Sequence, residues 1–278
     1  MTSPGRRGAT QVPDGQPTGR SFGEEGGQLT YGGYLRLDQL LAQQVPQASP
    51  PAHDELLFIT VHQVYELWFQ QLLYELETVR DATMADETTW RARYLLRRVH
   101  AIERLLITQV DILETMTPQD FLEFRANLAP ASGFQSAQYR ELEFLSGSKN
   151  RAFLARFRGI SAAQRARLER RLAEPSLWDA YLHLLASRGL PAGTDQQILE
   201  SLRAVAGDRA AHDDLWQLAE GLLTHDELAG LWRARHVVMV ERQIGTKSGT
   251  GGSTGAPYLR KRVPLRYFPL LWELRDHL

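Results

Sequence analysis

Two histidines, one arginine and a glycine-rich loop are the parts of this sequence with chemistry to offer. Counting 100° per residue places Phe58, His62, Tyr65, Phe69, Leu72 and Leu76 on one helical stripe, with Gln63, Glu66, Gln70 and Glu77 on a polar side. His62 sits near the centre of that stripe, flanked by aromatic residues, so its face can line an aromatic pocket. His236 is surrounded by Trp232, Met239 and Val240, with small Ala229 two turns earlier, and a flat macrocycle could pack there. A neutral imidazole on a rigid helix in apolar surroundings is what an axial heme ligand requires, and its second ring nitrogen then needs a hydrogen-bond partner. For each histidine the plainer alternative is a core residue bonded to a neighbouring carbonyl, and the residues alone leave both readings open.

Arg125 follows Phe121 at i+4, where a helix gives way to a loop. A guanidinium fork beside an aromatic ring there could grip a carboxylate through two bonds. Among 32 basic residues a solvated ion pair is the other reading. The Gly245 to Gly255 loop lacks both G-x-x-x-x-G-K-[ST] and a complete G-x-G-x-x-G and follows a helix, so it is no phosphate cradle. A lid offering Thr246, Thr250 and Thr254 to a ligand fits better, the alternative being an irregular connection. No H-E-x-x-H, no G-x-S-x-G and no readable pair of active-site carboxylates occurs.

The elements that must position these residues are helices, because apolar residues recur at three- and four-residue spacing and almost never alternate. The spacing predicts helices over about His53 to Val79, Glu87 to Thr115, Pro118 to Arg125, Gln135 to Leu145, Ala162 to Leu172, Leu177 to Ser187, Asp195 to Val205 and Arg209 to Leu222. Thr224 and Glu227 have capping-box spacing, which predicts a fresh helix from Thr224 to about Gln243. Leu128 to Phe134 reads as a loop, and the segment from Tyr258 to Leu278 is apolar and basic by turns.

Residues 1–28 are rich in Gly, Pro, Ser, Gln and Arg with almost no large apolar side chain, so they cannot offset their ordering entropy by burial and are expected to form a disordered tail. Residues 29–278 are expected to form a single domain. With 32 Lys plus Arg against 33 Asp plus Glu, no overall field draws the chain to nucleic acid or an anionic membrane. The absence of cysteine excludes disulfides, thiolate metal sites and covalent heme attachment. No membrane span or secretory signal is present, so the cytoplasm is the expected location.

Several segments in a common order resemble the tryptophan 2,3-dioxygenase family. They are Leu29-Thr-Tyr-Gly-Gly-Tyr34, Asp54-Glu-Leu-Leu-Phe-Ile-Thr-Val-His62 continuing to Tyr65-Glu-Leu-Trp68, Phe124-Arg125 with Ser132-Gly-Phe-Gln-Ser136, and His236 with the glycine-rich loop. The resemblance implies an all-α, single-domain, multi-helix bundle enclosing a b-type heme. It implies His236 as axial iron ligand, with Trp232 and Gly133 beside the cofactor. His62 would stand on the opposite side near the indole nitrogen, as an orienting partner and not an obligatory base. Arg125 would bind the amino-acid carboxylate, Thr250 the ammonium and carboxylate as its loop orders, and Phe58, Phe121 and Ser132 would complete the substrate pocket. Position 121 is tyrosine in some relatives and phenylalanine here, so any hydroxyl contact from it is missing. Tyr31 and Tyr34 match positions that reach a neighbouring subunit's pocket, implying a homotetramer. The implied reaction inserts both atoms of O2 across the indole C2–C3 bond of L-tryptophan to give N-formylkynurenine. A same-fold enzyme acting on a substituted tryptophan, inserting one oxygen to give an oxindole, is the nearest alternative. A non-catalytic heme sensor is the alternative of another class, against which Arg125 and the Thr250 loop argue.

Overall fold

The computed structural model describes residues 29–86, 88–156, 159–252 and 254–278, which fall into two compact units meeting at Val45 and Pro46. The expected tail, residues 1–28, lies outside the described residues. No strand occurs among those described, as the spacing of apolar residues predicts.

The N-terminal unit holds two short helices, α1 (Tyr31–Leu35) and α2 (Leu37–Leu41). Thr30 starts α1 by accepting from Gly33 N at 3.1 Å. Arg36, in the left-handed region at φ 54, separates the two.

In the larger unit three long helices carry the core: α3 (Glu55–Met84), α4 (Thr89–Leu113) and, late in the chain, α11 (Asp213–Ile244). Both α3 and α11 pack on α4. Val61, Tyr65, Phe69, Leu72, Leu76 and Val79 bury one side of α3, and Ala92, Leu96, Val99, Leu106 and Val110 one side of α4, so each helix is held by an apolar stripe and not by propensity. Polar ties fix their register. Gln109 donates to the Val61 carbonyl at 3.0 Å and the Tyr65 hydroxyl to the Leu106 carbonyl at 2.9 Å. Arg235 on α11 forks onto both Glu114 oxygens at 2.6 and 2.7 Å.

Between α4 and α11 the chain forms α5 (Pro118–Arg125), α6 (Ala137–Ser146), α7 (Ala152–Arg156), α8 (Ala162–Ala173), α9 (Leu177–Ser187) and α10 (Asp195–Gly207). Helices α6 and α9 pack against α3, and α8 against α6. Capping boxes at Thr117, Ser161 and Ser176 start α5, α8 and α9, because a hydroxyl and an acidic or amide side chain three residues on satisfy each other's orphan amides.

The predicted break at Thr224 is not there. Helix α11 runs unbroken from Asp213, and the Thr224 hydroxyl donates back to the Glu220 carbonyl at 2.8 Å. A threonine inside a helix can bond its own preceding turn, so capping-box spacing alone does not end one. The predicted start at Arg209 also moves, since residues 209–212 form turns before Asp213. The short helices α12 (Ala256–Arg260) and α13 (Pro269–Glu273) close the chain, in a segment whose pattern predicts no element.

One buried carboxylate ties that closing segment to α11 at three points. Oδ2 of fully buried Asp226 accepts from Tyr267 N at 2.9 Å, Phe268 N at 3.1 Å and Trp272 Nε1 at 2.9 Å. Removing it strands three donors, each costing about 1–3 kcal/mol when left unpaired. Asp226→Ala is therefore expected to destabilise the protein by about 3–5 kcal/mol in denaturant unfolding. A loss under about 1 kcal/mol would show that the segment is held by its apolar contacts instead.

Candidate functional site

A cavity of about 310 Å³ lies between α3, α11, α6 and the segments around residues 125–136 and 249–262. His62 and Glu66 enter it from α3, Trp232, Arg233 and His236 from α11, and Phe121 and Arg125 from α5. The helical spacings i, i+4 on α3 and on α11 bring these side chains onto facing stripes.

His62 Nδ1 lies 2.7 Å from the Phe58 carbonyl oxygen. A carbonyl only accepts, so Nδ1 carries the proton and Nε2 is left as a bare acceptor. Burial holds the His62 pKa below its ordinary value, outweighing the carbonyl bond and the Glu66 charge that favour protonation. His236 is pushed down to about 4, chiefly by burial and further by the charge His62 would carry. Neither of its ring nitrogens has a hydrogen-bond partner among the described residues, and Trp232 stacks on it with centroids 5.3 Å apart and planes inclined by 1°. Both imidazoles are thus neutral at neutral pH, and His236 keeps a lone pair free for a Lewis acid.

Arg125 donates to the Ser248 carbonyl, and the Thr250 hydroxyl to the Ala131 carbonyl at 2.6 Å. The glycine-rich loop is therefore tied across the cavity mouth by the two residues expected to hold a ligand. Gly251 makes this approach possible, because a Cβ there would lie 2.5 Å from the Ser132 Cβ. Ser132 itself caps a 3₁₀ turn over Gly133–Gln135, accepting from Phe134 N at 3.3 Å. Ser132, Gly133 and Thr250 all line the cavity.

Phe58 does not. It stands behind the wall, 4.0 Å from the His62 ring and 5.7 Å from Phe121, so it supports residues that face the cavity and does not face it itself. Glu66, assigned by counting to the polar side, lines the cavity and accepts from Gln138 at 2.8 Å. A neighbouring helix, α6, converts that flank of α3 from a solvent face into a wall. Tyr31 and Tyr34 lie in the N-terminal unit and are exposed.

Sequence reading missed the basic side of the cavity. Arg140, Arg233 and Arg262 line it with Arg125, against two carboxylates, Glu66 and Glu143. Glu143 pairs with Arg140 and takes Arg262 at 2.9 and 3.1 Å. Burial lowers Arg140 to about 10, its guanidinium lying 3.7 Å from the Phe153 ring centroid. Arg233, one residue after Trp232, could have been found beside His236, whereas nothing in the sequence marks Arg140 or Arg262.

A model of the family described as tryptophan 2,3-dioxygenase matches residues 14–192 and 202–278. The chain is 63% identical over 261 residues to a tryptophan 2,3-dioxygenase of Nocardioides sp., covering 93% of this chain and 98% of that protein. It is 45% identical to one from Herpetosiphon aurantiacus over 90% of this chain and 98% of that protein, and 42% identical to one from Myxococcus xanthus over 91% and 90%. With a family model spanning most of its length and relatives this close, the chain belongs to the tryptophan 2,3-dioxygenase family.

Proposed function

We propose that this protein is a heme-dependent dioxygenase that inserts both atoms of O2 across the indole C2–C3 bond of L-tryptophan, giving N-formylkynurenine. The observation that carries the reading is a single cavity bringing together His62, His236, Arg125 and Thr250. In this reading residues 29–278 work as one heme domain in a cytoplasmic homotetramer, and exposed Tyr31 and Tyr34 reach a neighbouring subunit's pocket.

The residues fit a b-type heme. His236 is neutral at neutral pH and makes no protein hydrogen bond, so it would have a nitrogen lone pair with which to hold the heme iron. Four arginines against two glutamates leave an excess of positive charge for the two propionates of a heme. Trp232 and Gly133 would lie beside the macrocycle. When bound, the heme supplies the ferrous centre at which O2 is activated.

The chain's own part is positioning. His62 Nε2, unprotonated because Nδ1–H is committed to Phe58, accepts the indole N–H and fixes the ring's rotation. No proton transfer is asked of it. Arg125 trades the Ser248 carbonyl for the substrate carboxylate, and Thr250 holds the amino-acid end as its loop closes. Phe121 packs the indole, with Phe58 behind it, and Ser132 completes the mouth. The apolar walls Phe69, Leu113, Met239, Val240 and Ile244 exclude water.

Purified protein is expected to show a Soret band that His236→Ala abolishes, and full heme retention in that variant would move the ligand elsewhere. Arg125→Ala is expected to lower kcat/KM on L-tryptophan about 30- to 1000-fold, as for truncation of one member of a hydrogen-bonded charge pair. An analogue without the carboxylate should lose far less, and equal losses would remove Arg125 from the carboxylate site. Turnover under labelled dioxygen tests the reaction itself. Mass spectrometry should find two labelled oxygens in one product, and a singly labelled oxindole would replace this reading with the monooxygenase.

A further inference from the structure

Behind Trp232, on the side of α11 nearest α4, lies a second cavity of about 40 Å³ lined by Glu103, His225, Tyr139, Tyr267 and Trp232 among apolar residues. One ordered water needs about 10–15 Å³ of such space and two to four polar partners. Two polar atoms on its lining residues are buried without any partner: Trp232 Nε1, a donor, and Glu103 Oε2, an acceptor. The Tyr65 phenol also stands beside the Trp232 indole, its own proton going to the Leu106 carbonyl.

The hydrogen bonds around Glu103 fix its remaining capacity. Ser146 donates to the Leu142 carbonyl at 2.7 Å, so it can only accept from His225 Nε2, 2.8 Å away. His225 Nδ1 then shares a proton with Glu103 Oε1 at 2.6 Å. Wherever that proton sits, Oε2 keeps lone pairs directed at nothing. Tyr267 accepts from Arg233 Nη1 at 3.1 Å and retains its own proton to give.

We propose that this cavity is a water site in which one ordered water accepts from Trp232 Nε1–H and donates to Glu103 Oε2, with the Tyr267 hydroxyl as its third partner. The water closes a chain running Ser146, His225, Glu103, water, Trp232 across α6, α11 and α4. Glu103 is then a positioning residue: it fixes the plane of the Trp232 indole, and so of the imidazole stacked parallel on it at His236. That last consequence rests on the heme reading above, whereas the water does not.

The test is a crystal structure of the full chain as purified, together with ultraviolet resonance Raman spectra of its tryptophans taken as differences from Trp232→Phe. Expected are density within hydrogen-bond distance of both atoms, and a hydrogen-bonded indole signature for Trp232. Glu103→Gln should move that signature, because the group facing the water becomes a donor. Glu103→Leu should empty the site and speed deuterium exchange of the Trp232 N–H about 2- to 10-fold, as loss of one net hydrogen bond implies. If Glu103→Leu fails to fold, the density in the unmutated protein and the Glu103→Gln spectrum still decide. A dry cavity overturns the proposal. A water present while Glu103→Gln leaves the Trp232 band and its stacking on His236 unchanged overturns the positioning role. A missing Soret band would overturn the heme reading and leave the water density untouched, so the two failures are distinguishable.

Discussion

From His225 to His236 the chain advances eleven residues along one helix, which is three turns with a remainder of about 20°. His225, Ala229, Trp232 and His236 therefore share a stripe roughly 16 Å long, and everything the site does depends on that register being unbroken. A break at Thr224 would leave this stripe whole but detach it from residues 213–223. The helix is pinned instead at several places: Asp226 to the C-terminal segment, Arg235 to Glu114, and Gln243 to the Met116 carbonyl at 2.7 Å. Because α4 supplies Glu103 to His225, Glu114 at its end takes Arg235, and the same helix packs on α3, it relates the His62 stripe to the His236 stripe.

The electrostatics follow from burying this arrangement. Two imidazoles in one apolar cavity cannot both be charged, and desolvation settles the matter by holding both neutral. Charge is permitted only where partners exist. Glu143 sits almost completely buried between Arg140 and Arg262, and breaking such a buried group by removing one partner is strongly destabilising. The cavity thus combines two neutral histidines with four arginines against two glutamates, a balance that leaves it net positive.

Much of this was legible in the sequence, and what was not has definite causes. The α3 stripe, α5 and α9 followed from periodicity and capping residues, α9 and α5 to the residue. His62, His236, Arg125, Ser132, Gly133 and Thr250 do share one cavity, although helical counting alone could not distinguish them from core residues, and only the joint occurrence of motifs did. Phe58 shares the stripe with His62 as counted and stands against its ring, one layer behind the cavity-lining side chains, a depth that a stripe angle does not give. Glu66 lies on the polar side as counted, and α6 covers that flank, which makes it part of the cavity wall. Arg262 and the Glu103–His225 pair were invisible, since contacts made across 119 and 122 residues leave no local pattern.

The loop arrangement carries a consequence for selectivity within the proposed reading. Arg125 and Thr250 are each engaged with a backbone carbonyl, of Ser248 and Ala131, so a ligand meets groups that already have a partner. A neutral ligand would have to displace bonds as good as those it forms, gaining little. A carboxylate replaces a carbonyl with a charged acceptor, and charge-assisted bonds are roughly twice as strong as neutral ones. Exchange at Arg125 is therefore favourable for an amino acid and close to neutral for a bare indole. Releasing Ser248 also frees the loop around Gly251, whose contact with Ser132 tolerates no side chain, to settle again over a larger occupant. Selection for the amino-acid end is thus built into bonds that already exist before the ligand arrives.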